Sequence, residues 1–342
     1  VVTLPGKISN NCGINVGGFI NVFPQSNREH IGEFKQKKNI FGQNKECMEY
    51  KNVYEGISLH CYTTSFGLNT EITIPEYRGE YIFSMRIEQP KGFFVEDETD
   101  YVIFRDEEDL RSMMFTSLAV DANNVWNYKN KINLSFDSES VCYISFIIDK
   151  DFLEDNKTKY PVTISQSINA YKHKQPDTSV YSRTGDIARH YLSPYMLLGD
   201  NTVKGEGWAL LRYEVLDEIE IMPDEIISAD YYFNNLFDLD KEVIIGTYAI
   251  TSDWCSVNTR WKSRPEYDSE PLHTTMVKDK GVYGVEVTEL LKEMMRSKGQ
   301  YEPLYSVRNS FFIKSDTENS NLLVASGDSG IQSPYLKIVL KN

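Results

Sequence analysis

The apolar positions of this chain fall in short runs that alternate with polar ones. Gly56-Ile57-Ser58-Leu59-His60-Cys61-Tyr62, Tyr81-Ile82-Phe83-Ser84-Met85-Arg86-Ile87, Tyr101-Val102-Ile103-Phe104, Val141 to Ile148 and Val243 to Ile250 are examples. Such runs are bounded by Asn, Asp, Gly or Pro and recur every ten to twenty residues. A period of two places alternate side chains on opposite faces, so each run predicts a strand with one buried face. The long amphipathic helices of a βαβ chain are missing between them. The pattern therefore predicts an all-β protein of antiparallel sandwiches or jelly rolls. One segment has the helical period instead: Thr288 as N-cap, then Glu289 to Arg296, closed by Gly299. Leu290, Leu291, Met294 and Met295 share a face, with Glu289 early and Arg296 and Lys298 late, as the helix dipole favours. This predicts one short helix near residues 288–298, its two Met residues filling core.

At 342 residues the chain is about twice the usual domain length, so two domains are expected. Tyr160-Pro161-Val162-Thr163-Ile164 closes one set of strands, and Asn169 to Pro176 is polar and unpatterned, reading as a linker. The expected division is 1–168 and 169–342, the first domain carrying an extended lead from Val1 to Asn44 that lacks a compact pattern of its own. The net charge is −14, and each half carries −7 when the chain is cut after residue 168. An evenly acidic chain without a basic block has no electrostatic footprint for nucleic acid or anionic lipid. No run approaches the ~20 apolar residues of a membrane-spanning helix, so membrane insertion is not expected. The start Val1-Val2-Thr3-Leu4-Pro5 lacks Met and reads as a processed end or an artificial boundary. The five cysteines are scattered without a CxxC, and the five histidines form no HExxH, so neither a disulfide framework nor a zinc site is indicated.

In the second half, Leu198-Gly199, Trp208 to Val215 and Pro223 to Tyr232 resemble the opening strands of the DNRLRE domain, a family grouped with carbohydrate-binding modules. Ile250-Thr251-Ser252-Asp253-Trp254, Thr259-Arg260-Trp261 and Pro265 resemble its "ITSxW…TxxW…P" stretch. Gly284 to Leu290 is similar to its "DVTxLV" step, and Ser333-Pro334-Tyr335-Leu336-Lys337-Ile338 to its terminal "RPxLxI" strand. The hexapeptide that names the family is absent, and the helix carries Met where an aromatic is common. Tyr50 to Leu59 and Tyr160 to Ile164 resemble the region that precedes such domains in Rhs/YD-repeat and wall-associated proteins of Gram-positive bacteria. The resemblance implies a secreted or cell-surface bacterial protein of two β-sandwiches, with no catalytic role for either.

Candidate chemistry concentrates in the second half. Trp254, Trp261 and Tyr267 could form a sugar platform, because an aromatic ring buries the apolar face of a pyranose; their plain reading is core. Arg260, Lys262 and Arg264 are the densest basic group there, and on a strand they would alternate to one face. An Arg fork suits the carboxylate of an acidic sugar. Asp177, Asp238 and Asp240 are candidates for a structural Ca²⁺, since Asp238-Leu239-Asp240 has the i, i+2 spacing of calcium loops; the plain reading is a polar turn. Gly327-Asp328-Ser329-Gly330 reads as a turn and not a protease nucleophile, as no His sits in a matching context. Acidic runs at 96–100 and 106–109 read as solvated loops, and Cys255 as an inert thiol.

The leading expectation is a non-catalytic protein that binds polysaccharide or cell-wall glycan. The alternative is an assembly protein, a surface-filament or appendage subunit or a shell-proximal segment of a Rhs-type toxin, whose N-terminal lead self-assembles by pairing with a neighbour's sheet edge. A lyase or hydrolase would need a clustered His, Tyr, Arg or carboxylate set that the sequence does not display.

Overall fold

The computed structural model describes all residues except 1, 19, 26–27, 65–66, 89–91, 98–100, 107–111, 172–176, 184–192, 194, 202–203, 213–220, 253, 255–258, 297–309, 330–332 and 342. Cys255, Gly299 and most of both acidic runs lie outside the described residues. The protein is almost entirely β, and every strand pairing among the described residues is antiparallel. It divides into two compact units, residues 1–173 and 174–342. The strand Val162–Tyr171 runs through the expected boundary at 168, because Asn169, Ala170 and Tyr171 still pair with Met114, Met113 and Ser112. The stretch read as a linker therefore begins as sheet.

In the first unit a six-stranded sheet (Val2–Thr3, Ile14–Val16, Ile20–Pro24, Ile82–Glu88, Val141–Ile147, Lys131–Ser138) faces a ten-stranded one. The shared core takes alternate residues from both: Ile14, Val22, Phe83, Met85, Ile144 and Phe146 from the first, Leu59, Leu68, Ile72, Phe115, Ile164 and Ile168 from the second. The lead from Val1 to Asn44 is not a free arm. Ile8, Ile14, Val16, Ile20 and Val22 are buried in this core, and Gly17 and Gly18, both at positive φ, turn Ile14–Val16 back onto Ile20–Pro24. The strands are only two to five residues long before His30, too short for alternation to register by eye.

The ten-stranded sheet also carries a buried polar row on the face away from this core. Glu71 is wholly buried, accepts the Ile40 N–H at 2.6 Å and has the Tyr62 hydroxyl as a further neighbour. Burial pushes its carboxyl up, while Lys37 and the Ile40 N–H pull the other way. His60, across the strand pair, lies 3.3 Å from Lys37 Nζ and 3.5 Å from Glu49, and burial with the Lys37 charge lowers its pKa. Glu71 thus holds the turn at Asn39 to Gln43 against the sheet.

The second unit is a sandwich made from one continuous hydrogen-bonded ladder. A front sheet holds Asp177–Tyr181, Gly205–Arg212, Ser310–Ser315, Val243–Ala249 and His273–Val277. A back sheet holds Tyr195–Asn201, Asn321–Ala325, Ile226–Asn235, Tyr335–Leu340 and Gly281–Glu286. The ladder turns from one to the other at Gly199, which pairs with Gly207 on the front and Asn321 on the back. Ala209, Leu211, Ile245, Phe311 and Ile313 from the front meet Tyr231, Phe233, Val285, Leu322 and Val324 from the back.

The predicted helix is Thr288–Arg296, and its buried Leu291, Met294 and Met295 join that core. Thr288 is not its cap. The first helical bond runs from Leu291 N–H to Val287 O, while the Thr288 hydroxyl accepts the Ala229 N–H at 3.0 Å and ties the helix to the back sheet.

Candidate functional site

The front sheet is apolar on both faces. Ala209 and Leu211 point into the sandwich, while Trp208 and Leu210 point outward, and Phe311 and Ile313 likewise alternate with Phe312. An outward face of that composition needs its own cover, and the described residues between Ile250 and Leu272 supply it. This segment is pinned at its base by Thr251 N–H to Glu266 O, Asp268 N–H to Ala249 O and Leu272 N–H to Thr247 O.

Beneath it lies a second, smaller core of Val180, Trp208, Leu210, Tyr248, Ile250, Trp254 and Phe312, with Trp261 and Tyr267 partly buried at its rim. The rings of Trp208 and Tyr248 stack on Phe312 with centroids 4.7 and 5.0 Å away. Tyr267 meets Trp208, Tyr248 and Phe312 edge-on, and Trp261 meets Trp208 edge-on at 5.0 Å. Every buried polar tip has a partner, as aromatic groups with a donor require. Trp208 Nε1 donates to Glu206 at 2.8 Å, Trp254 Nε1 to the Ser310 hydroxyl at 2.8 Å, and the Tyr248 hydroxyl to Asp316 at 2.7 Å. Burial, reinforced by Asp316, pushes the Tyr248 phenol well up, so it remains a donor.

Of the proposed sugar-binding aromatics, Trp254 is therefore core at 6% exposure, and Trp261 and Tyr267 form the rim. The basic residues are corrected in conformation. Residues 260–264 form a turn, with the Arg260 N–H bonded to the Ser263 hydroxyl and the Arg264 guanidinium bonded to Trp261 O at 2.7 Å. Arg264 is thereby folded back over the aromatics, 4.3 Å from the Trp261 ring centroid and 5.0 Å from that of Trp208. Arg260 is half-buried, its guanidinium donating to Thr259 O, and Lys262 stands exposed at the turn. On the opposite border Lys314 lies 4.9 Å from the Tyr248 ring and 3.0 Å from Asp316. The product is a cationic and aromatic rim on an otherwise acidic chain, able to stack on an apolar ring face and to pair with an anionic oxygen. Sequence reasoning gave Trp208 little weight and missed Tyr248, Phe312 and Lys314. The signal was present in Trp208-Ala209-Leu210-Leu211 and Phe311-Phe312-Ile313, strands with no polar face.

The aspartates expected to hold Ca²⁺ do not converge. Asp177 is buried and accepts the Gly327 N–H at 2.7 Å, whereas exposed Asp238 accepts the Lys280 N–H at 2.7 Å and Asp240 stands exposed beyond it. Among the described residues no group of three or more His, Cys, Asp or Glu side chains lies close enough together to hold a metal ion. Asp177 has a different consequence. Burial pushes its carboxyl up to about 6 from an ordinary 3.8, against the opposing pull of the Gly327 N–H. The folded state therefore favours the protonated form. Stability from this group is complete below the ordinary pKa and is lost as pH rises through about 6. Asp177→Asn keeps an oxygen for Gly327 and removes the buried charge. It is expected to stabilise the fold by about 2 to 3 kcal/mol at pH 7.5. The gain should vanish at pH 3.5, as read from urea unfolding at both pH values.

No family model matches the chain, and no curated protein matches it at a significant level.

Proposed function

We propose that the protein is a non-catalytic, secreted or cell-surface bacterial protein whose second unit, a DNRLRE-like jelly roll, binds acidic polysaccharide through the rim of Trp261, Tyr267, Arg260, Lys262 and Arg264. The observation that carries this reading is Arg264 stacked on Trp261, because stacking and the bond to Trp261 O order a guanidinium that keeps further N–H donors for a carboxylate. A polyanion meets an overall charge of −14, so it requires such a local cationic edge. The aromatic faces of Trp261 and Tyr267 would take the apolar side of a sugar ring.

Affinity electrophoresis in gels containing polygalacturonate tests this. Arg264→Ala and Trp261→Ala should each weaken retention at least tenfold, with a circular dichroism spectrum that stays native. Retention should also fall steeply with added salt, since exposed charge pairs are screened. Folded wild-type protein that migrates unretarded through acidic polysaccharides and wall material would remove the proposal.

A further inference from the structure

The outer face of the back sheet brings together residues that the front-face site does not use. Strand register sets Tyr232 opposite Gly284 on one side and opposite Tyr335 on the other. The two tyrosine rings stack with centroids 4.9 Å apart and planes 15° from parallel. A Cβ at position 284 would lie 3.0 Å from the Tyr232 ring, so glycine there gives that ring room beside the neighbouring strand. Tyr335 remains 49% exposed, and exposed Val282 lies next to Gly284 on the same face. The next row of the sheet is polar: Glu286, Asp230 and Lys337 lie side by side in register. Glu286 accepts the Thr288 hydroxyl, while Asp230 and Lys337 stand opposite each other without an ion pair between them.

We propose that this face is a second carbohydrate subsite, one for an uncharged polysaccharide. The proposal rests on the reading of this unit as a glycan-binding module and adds a second ligand class on the opposite side of the sandwich. The outer face of the Tyr335 ring, backed by the Tyr232 ring, offers an apolar surface the size of a sugar ring. Carboxylates and an ammonium beside it accept from and donate to vicinal hydroxyls, which a purely apolar partner would leave unmatched. Two carboxylates against one ammonium give the row a negative balance, so it repels the polyanions that the Arg264 rim attracts. Two faces with opposite charge preference let one unit bridge two kinds of polymer, with a gain in avidity on mixed material.

The test is affinity electrophoresis of the full chain in gels of hydroxyethylcellulose and, separately, of polygalacturonate, with sedimentation velocity run alongside. Tyr335→Ala should lower retention on hydroxyethylcellulose at least tenfold and leave retention on polygalacturonate unchanged, while Arg264→Ala does the reverse. Asp230→Asn, which leaves the rings in place, should also weaken the neutral polymer only. Retention on polygalacturonate but not on hydroxyethylcellulose overturns this subsite and leaves the front-face reading standing. Retention on neither overturns both. A wild-type dimer that Tyr335→Ala converts to monomer assigns the face to a second copy of the chain and overturns the subsite.

Discussion

Trp208→Ala is expected to destabilise the second unit by about 3 to 5 kcal/mol, the range for removing a large buried aromatic. Trp208 is 3% exposed and sits at the centre of the outward cluster. It stacks on Phe312, receives the edges of Trp261 and Tyr267, lies under Arg264 and donates to Glu206. Alanine leaves a cavity between the sheet and its cover, because the strand beneath is fixed by ladder bonds on both sides and cannot move to fill it. The loss should fall unevenly. The sandwich core, built from the other face of the same strand, keeps its contacts, so the cover between Ile250 and Leu272 should open first. Urea unfolding measures the total. Limited proteolysis checks its distribution, with new cleavage expected in that segment under native conditions, together with loss of polygalacturonate retention. Cleavage spread evenly over the unit would mean that the outward cluster is not a separate packing layer.

Gly199→Ala is expected to cost about 4 kcal/mol, from two sources that add at one atom. Gly199 has φ of +91°, which a Cβ disfavours, and that Cβ would lie 2.0 Å from the backbone carbonyl oxygen of Ser320. A carbonyl in a turn between two ladder strands cannot swing aside as the end of a flexible side chain would. Since Gly199 is where the ladder passes from back sheet to front, strain there loosens both layers. Gly56→Ala separates the two contributions: φ is +83° and nothing lies within 4 Å of its Cβ, so about 1 kcal/mol is expected. Thermal unfolding of the two variants should differ several-fold in the drop of Tm. Equal drops would show that positive φ alone sets the cost and that the corner has room to relax.

Much of the fold was legible before any coordinates. Ile57–Thr63, Ile82–Glu88, Val141–Ile147 and Val243–Ala249 lie where alternation predicted them, and Thr288–Arg296 is the predicted helix. The site was legible in part. Trp261, Tyr267 and Arg264 were singled out and do lie together, but Arg260, Lys262 and Arg264 form a turn instead of a strand, and Trp254 is core. The turn was missed because the bonds that make it, Arg260 N–H to the Ser263 hydroxyl and Arg264 to Trp261 O, compete with extended structure only once Trp261 has the Trp208 ring to pack on. Tyr232 and Tyr335 share a face only through strand pairing across most of the second unit.

The amino-acid sequence by itself determined the class of structure, the positions of several strands and of the helix, and an acidic second half with one dense basic group, because alternation, turn residues and charge are read within a few neighbours. The tertiary structure alone decided that Ile8, Ile14, Val16, Ile20 and Val22 belong to a core, that the front sheet is covered on both faces, that Arg264 folds over Trp261, and that the three aspartates stay apart. Each of those depends on which distant strands pair and in what register, and a shift of one residue would turn every side chain to the opposite face.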